Sequence, residues 1–181
     1  MEATAGLARD HRVIEMVLPA LERMAEGFEA REFVRGGEVA RALEFLREFV
    51  DGYHHRTEEA LFSLLAERGV PRESGLVAEL LAEHAEGRKR VWAMTAAFSE
   101  QVGEDVGAEH DLADQARSYV GLARRHIEGE ESRLFPLAED TLTSEDGERL
   151  LSEYAEIERE TIGERGRERF REAAEALAGG G

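Results

Sequence analysis

The chain has 181 residues, the length of one domain that can bury a sizeable core. Its 23 Lys and Arg residues against 40 Asp and Glu residues give a net charge of −17, and a field of that sign repels the phosphates of nucleic acids and of anionic membranes. The absence of cysteine excludes disulfides, thiolate zinc sites and cysteine-held iron–sulfur clusters. No apolar run is long enough to span a membrane and the N-terminus does not read as a signal peptide, so we expect a soluble cytoplasmic protein.

Five segments show the periodicity of amphipathic helices, and no segment shows the alternation of a strand. The helices are predicted over residues 4–29 and 38–68, then from Ser74, from near Asp111 and from Thr143. Glycine and proline mark the connections between them, at residues 36–37, 69–71, 101–110 and 141–147. Pro19 lies inside the first helix and predicts a kink or local break there.

Apolar stripes on the first four helices predict an all-α fold, an up-down-up-down antiparallel four-helix bundle with an additional C-terminal helix. The bundle is expected to occupy residues 1–142. Residues 143–181 are expected to form a charged helix and a Gly-rich tail that belong to the same unit. Thr143 and Asp146 resemble a loose capping box at the start of this helix, which we expect to pack outside the bundle or to make an oligomer contact.

Each of the four bundle helices carries one histidine on its apolar stripe, at the three- and four-residue steps that keep side chains on one face. These inward histidines are His11, His54, His84 and His126. His55 continues a charged face and is predicted to point to solvent, although a one-residue error in the helix phase would exchange it with His54. His110 lies in a polar connection and is predicted to be on the surface.

Glu58 and Glu130 stand four residues after His54 and His126, so each pair projects from one face of its helix. A buried carboxylate costs several kcal/mol unless a cation or hydrogen bonds compensate it. Two metal ions would supply that compensation. Imidazole and carboxylate ligands suit iron or manganese, with zinc as an alternative. His11 and Glu15 form a further pair of this spacing, which could add a metal ligand or a residue that hydrogen-bonds to a ligand.

A single histidine on an apolar stripe is more often a hydrogen-bonded core residue than a metal ligand. Four inward histidines on four helices, two of them with correctly spaced glutamates, favour a metal site over that interpretation. Arg88 lies four residues after His84 on the same stripe, where its positive charge would repel bound metal ions. We expect its side chain to extend outward or to pair with a glutamate.

The motifs that carry these residues resemble the hemerythrin-like, or HHE cation-binding, family. They are Asp10-His11, the run His54-His55-Arg56-Thr57-Glu58-Glu59 before Leu61-Phe62, Glu83-His84, and the run His126-Ile127-Glu128-Gly129-Glu130-Glu131 leading into Leu134-Phe135-Pro136. The resemblance covers about residues 7–138. It implies an antiparallel four-helix bundle that holds two irons, bridged by two glutamate carboxylates and an oxo or hydroxo species.

Carried over by position, the ligands implied by this resemblance are His11, His54, Glu58, His84, His126 and Glu130. The oxygen-carrying hemerythrins have a second histidine one turn later on the third helix, where this chain has Arg88. That departure argues against a simple oxygen carrier. It leaves more than one coordination position open, or filled by Glu15 or water.

The leading hypothesis is therefore a cytoplasmic non-haem di-iron protein that binds or reacts with dioxygen, peroxide or nitric oxide. The alternative is a metal-dependent iron- or redox-sensing bundle without turnover, whose metal-stabilised fold is recognised by a regulatory partner. A third hypothesis is a metal-free helical interaction protein whose inner polar residues satisfy one another. The expected partners are a small diatomic ligand or peroxide, and a second copy of the chain or a redox protein.

Overall fold

The computed structural model describes residues 1–99 and 106–180, and within those ranges the chain is helical and contains no strand. The helices are α1 (Glu2–Ala30), α2 (Gly36–Phe45), α3 (His55–Glu67), α4 (Gly75–Ser99), α5 (Val106–Gly129), α6 (Phe135–Thr141), α7 (Ser144–Thr161) and α8 (Gly166–Ala178). Two π-helical segments, Leu46–His54 and Glu130–Leu134, join α2 to α3 and α5 to α6. The all-α prediction is confirmed.

The π-helical segments do not interrupt the helices that they join. Phe45, Leu46, His54 and His55 keep right-handed helical dihedral angles, so residues 36–67 form one continuous helical rod. Residues 106–141 form a second such rod, because Gly129, Leu134 and Phe135 are helical at its two junctions. With α1 and α4, these rods cover the four segments that carry the predicted apolar stripes.

Two sequence predictions about boundaries need correction. α1 continues through Pro19 as one helix, so the local break expected there is absent. The rod of residues 106–141 begins at Val106 instead of near Asp111, and His110 therefore lies in the first turns of α5, where it is exposed. The predicted connection at residues 101–110 falls partly outside the described residues.

The apolar stripes of the four rods meet in a single core. Its largest fully buried aliphatic side chains come from α1, both joined rods and α4: Leu7, Leu18, Leu46, Leu61, Leu65, Leu80, Met94 and Leu134. Phe45 and Phe49 pack against Phe170 of α8, with ring centroids 5.9 and 5.4 Å apart. The core thus extends from the bundle to the last helix. No helix in the described ranges has the length and apolar content needed to cross a membrane.

The charged C-terminal segment forms two helices where one was predicted. α7 begins at the predicted capping box, in which the Asp146 amide donates to the Thr143 hydroxyl and the Thr143 amide donates to the Asp146 carboxylate. The chain then turns at Gly163, whose φ of 76° lies in the left-handed region that favours glycine, before α8 begins.

Both C-terminal helices lie against the bundle. α7 packs on α3, where Asp146 accepts from the Arg68 guanidinium, and α8 packs on α1, where Arg23 donates to the Leu177 carbonyl at 2.8 Å. α8 also contacts α2. This packing brings the C-terminal segment close to α1, which carries His11, and to the rod of residues 36–67, which carries His54.

Candidate metal centre

Five histidines and two glutamates lie buried together in the middle of the bundle. They are His11, His54, His55, His84, His126, Glu58 and Glu130, and none exposes more than 8 % of its surface. Glu58 and Glu130 are completely buried. A polar cluster of this size in an apolar core requires compensation, because each buried carboxylate without a partner costs several kcal/mol.

The first group of candidate ligands comprises His11, His54, Glu58 and Glu130, whose ligand atoms all lie within 4.8 Å of one another. His54 Nε2 lies 2.7 Å from Glu58 Oε1. His11 Nε2 lies 3.1 Å from Glu130 Oε2 and 3.5 Å from Glu58 Oε1. Two imidazoles and two carboxylates therefore converge on one small volume.

The second group comprises His55, Glu58, His84 and His126, again within 4.8 Å. His84 Nε2 lies 3.0 Å from Glu58 Oε2 and 3.2 Å from His126 Nε2. Glu58 belongs to both groups and directs one oxygen toward each. Glu130 Oε2 also lies between them, 3.7 Å from His126 Nε2. The geometry therefore fits two cations that share carboxylate ligands.

All six residues predicted from the sequence are brought together here, but the predicted position of His55 is wrong. His55 is 8 % exposed, stacks on His84 with ring centroids 3.9 Å apart and belongs to the second group. The prediction assumes an α-helix, whereas the π-helical segment before His55 holds more residues in each turn. This change of phase turns both His54 and His55 inward.

Unsatisfied atoms in the cluster indicate that protein groups alone do not complete it. Among the described residues, Glu58 Oε2 and Glu130 Oε1 are buried without a hydrogen-bond partner. Glu58 Oε2 lies close to His84 Nε2 but not in hydrogen-bond geometry, as two ligands of a common cation do. Neutral imidazoles and carboxylates are ligands of iron, manganese and zinc, so the residues present fit such ions.

A second layer of carboxylates orients the imidazoles from outside. His11 Nδ1 hydrogen-bonds to Glu131 at 3.0 Å, His126 Nδ1 to Glu83 at 2.9 Å and His55 Nδ1 to Asp51 at 3.4 Å. Carboxylates also lie near the other two rings, with Glu59 at 3.5 Å from His84 Nδ1 and Asp10 at 3.8 Å from His54 Nδ1. A carboxylate on the far ring nitrogen leaves the near nitrogen free for a metal ion, as in many metal sites.

The Hemerythrin HHE cation binding domain model matches residues 3–138, three quarters of the chain. The chain belongs to the hemerythrin HHE cation-binding family. Comparisons with curated proteins and with solved structures found no match. The family match covers every residue of both ligand groups and ends before α7.

Arg88 occupies the position of the second third-helix histidine of oxygen-carrying hemerythrins, and its side chain points away from the cluster. It donates to Asp51 at 3.0 Å and lies 3.8 Å from Glu59, the carboxylates beside His55 and His84. Arg88 thus extends outward as one of the two expectations had it, and its hydrogen-bond partner is an aspartate, with Glu59 at ion-pair distance. In this HHE domain, His55 thus joins the ligand group of His84, the group in which position 88 carries arginine instead of a second histidine.

Glu15 does not reach the cluster. Its side chain is 44 % exposed and accepts from Arg12 at 2.9 Å. The prediction that Glu15 adds a ligand or a hydrogen-bond partner for one is therefore wrong, and Arg12 also binds Glu131, the carboxylate beside His11. The signal that could have identified His55 is Asp51, one turn earlier on the same rod.

Burial and neighbouring charges set the protonation of the imidazoles in the metal-free chain. Burial and the facing His84 lower the pKa of His55 to about 3, so His55 is a neutral imidazole at neutral pH, the form that binds metals. Burial also lowers the pKa of His11, but hydrogen bonds to Glu130 and Glu58 outweigh it and raise that pKa to about 10. A metal ion would replace the proton on His11.

A small cavity adjoins the second ligand group. It has a volume of about 30 Å³, and His54, His55, His84 and His126 line one side of it. Apolar side chains also line it, among them Ile14, Val50 and Ile127. A single water needs about 10–15 Å³ measured in this way, so the cavity accommodates a ligand of two or three heavy atoms.

Proposed function

We propose that this chain is a non-haem di-iron protein that binds or reacts with dioxygen, peroxide or nitric oxide inside an antiparallel four-helix bundle. One iron would be held by His11, His54 and Glu130, and the other by His55, His84 and His126. Glu58 would bridge them. When bound, a di-iron centre supplies one- and two-electron chemistry and a coordination position for a small ligand.

The observation that carries the proposal is Glu58, whose two carboxylate oxygens face separate groups of buried histidines. Oε1 lies 2.7 Å from His54 Nε2, and Oε2 lies 3.0 Å from His84 Nε2. A carboxylate between two imidazole groups is suited to two adjacent cations, while a single ion would leave one group of ligands without a charge to compensate. Manganese and zinc also suit this ligand set, and the family match does not choose among them.

The cavity supports a small ligand. About 30 Å³ beside His55, His84 and His126 is enough for a diatomic molecule or peroxide. Its apolar wall limits the water that can reach the cluster, which protects a reactive ligand from competing hydrolysis or proton transfer. Tyr119 also lines the cavity and remains a protonated phenol, because burial raises its pKa.

Metal analysis of the full-length chain tests the proposal. After anaerobic loading with ferrous iron, exposure to air and removal of excess metal, we expect about two irons per chain and near-ultraviolet absorption from the coupled centre. Peroxide consumption and reversible oxygen spectra then separate reaction from carriage. Less than about half an iron per chain, at a site built for two, would contradict the proposal.

A second candidate function, metal-dependent sensing, is favoured by contacts between the cluster and the C-terminal helices. Asp10, beside His54 Nδ1, accepts from Tyr53 at 3.2 Å and from Arg167 of α8 at 3.4 Å. α7 supplies Glu158, which pairs with Arg167 at 2.9 Å. Metal binding would thus alter how these helices pack, and a partner protein would recognise the altered surface. Metal-dependent protection of α8 amides from hydrogen exchange, without peroxide turnover, would support sensing over catalysis.

A further inference from the structure

An open groove between the helical rod of residues 36–67 and α4 leads from the protein surface to the His55 side of the cluster. We define it as the α4 groove; it has a volume of about 900 Å³, within the range of small-molecule sites. His55, Gly87 and Tyr119 line both this groove and the small cavity beside the histidines. The two spaces therefore adjoin across a shared wall.

The walls of the α4 groove are mainly apolar. Leu46 and Val91 are buried in them, while Trp92 is 76 % exposed. Trp92 is the only tryptophan in the sequence. An exposed tryptophan beside an apolar wall is unusual for a surface that meets only water, since large exposed aromatic side chains are common at binding sites.

The rim of the α4 groove is basic, in contrast to the chain as a whole. Arg47, Arg88 and Lys89 line it against a single carboxylate, Asp51, although the net charge of the chain is −17. Arg88 is neutralised by Asp51 at 3.0 Å, and Lys89 lies 3.6 Å from Glu86.

Arg47 differs from these two cations. It is exposed, and none of the carboxylates in the described residues lies in ion-pair distance of it. Its guanidinium is therefore available to a ligand from solution, and guanidinium groups bind carboxylates through two parallel hydrogen bonds. An unpaired cation at the edge of an apolar groove matches a molecule with an anionic head and an apolar body.

We propose that the α4 groove is a binding site for a soluble amphipathic organic anion, with its carboxylate on Arg47 and its apolar chain along Trp92 and the exposed edge of Val91. The small cavity behind His55 is too small for such a molecule, so this site is distinct from the one for the diatomic ligand or peroxide. The proposal does not depend on which metal the chain holds.

A matched series of eight-carbon compounds tests the proposal on the full-length chain as purified. Octanoate, 1-octanol and octylammonium have the same apolar length and differ in charge. We expect octanoate to bind once per chain by calorimetry and to shift the emission of Trp92, which reports directly on the groove. Octanol should bind about tenfold more weakly and octylammonium more weakly still, because a charge-assisted hydrogen bond is lost or becomes a repulsion.

Arg47→Glu should lower octanoate affinity at least about tenfold, and Arg47→Gln should lower it less. Arg41→Glu is the matched control, since Arg41 is exposed on the same rod, carries the same charge and does not line the groove. Its effect should stay within about twofold, the size expected of a change in the overall field. Circular dichroism and metal content verify that each variant is folded.

Three results would overturn the proposal. Equal binding of the three eight-carbon compounds would show an apolar surface without anion selectivity. Equal losses in Arg47→Glu and Arg41→Glu would assign the effect to net charge. An emission shift of Trp92 that follows chain concentration, together with dimers in sedimentation, would show that the groove is a contact between copies. Failure of iron loading would leave octanoate binding unchanged, so the two proposals fail separately.

Discussion

Glu58 and His55 show how much a single side chain contributes to this centre. Glu58 is completely buried and lies within 4 Å of four imidazoles, those of His11, His54, His84 and His126. Coulombic attraction from His54 and hydrogen bonds from the rings outweigh burial and lower the pKa of Glu58, so it stays a carboxylate. His55 adds a neutral imidazole on the side where the third helix supplies only one.

We expect His55→Ala to lower metal content, as His54→Ala should, because each removes a nitrogen ligand from one of the two groups. Loss of one ligand from a four-ligand group should reduce metal affinity by at least about tenfold. His110→Ala is the matched control, since His110 is exposed on α5 and belongs to neither group. Metal per chain after dialysis against a weak chelator measures the effect. Full retention of two ions in His55→Ala would show that His55 only packs against His84.

At the scale of elements, the π-helical segments and α8 place the ligands. One π-helical segment ends at His54 and the other begins at Glu130, so both rods that carry a His-x-x-x-Glu pair depart from α-helical geometry beside it. Such departures occur frequently at functional sites, because they change the direction of a side chain without ending the helix. α8 then supports Asp10 from outside the residues that the family match covers.

Arg167→Ala tests the contribution of α8. Removal of the guanidinium takes from the buried Asp10 one of its two hydrogen-bond donors among the described residues, the other being Tyr53, which should lower the unfolding free energy by about 2 kcal/mol. It should also weaken metal binding by about tenfold, because Asp10 would orient His54 less firmly. Denaturant unfolding and competition with a metal chelator measure the two effects.

Arg169→Ala is the control for this experiment. Arg169 lies on the same helix and pairs with the exposed Glu48, a surface contact worth about 0.5 kcal/mol. Its metal affinity should equal that of the unmodified chain. If Arg167→Ala lowered the unfolding free energy but left metal affinity unchanged, α8 would stabilise the fold without positioning His54.

At the scale of the whole molecule, the net charge of −17 lowers the stability of the folded chain, and cations bound at the buried cluster would raise it. Most of the 40 acidic residues form a solvated surface, and their mutual repulsion favours expansion. The buried Glu58 and Glu130 add to that cost inside the core, and burial together with the charge of Glu58 raises the pKa of Glu130. Two bound cations would compensate these charges in the folded state alone.

Metal removal should therefore lower the melting temperature. A ligand at 100 times its dissociation constant stabilises the folded state by about 2.7 kcal/mol, which corresponds to about 5–10 °C for a chain of this length. Differential scanning calorimetry of loaded and chelated samples measures the difference. Glu58→Gln, which removes the shared carboxylate charge, should show a smaller shift. Identical melting temperatures in samples of verified metal content would mean that the cluster binds metal without coupling to folding.

Local periodicity was sufficient to predict the helices and the inward direction of His11, His54, Glu58, His84, His126 and Glu130, because the 3.6-residue repeat places such residues on the apolar face of each helix. The inward turn of His55 depends on a π-helical segment, whose extra residue per turn leaves no periodic signal. Contacts such as Glu83 with His126 and Arg167 with Asp10 join residues far apart in the chain. Only the packing of separate helices decides them, since a spacing within one helix carries no information about its neighbour.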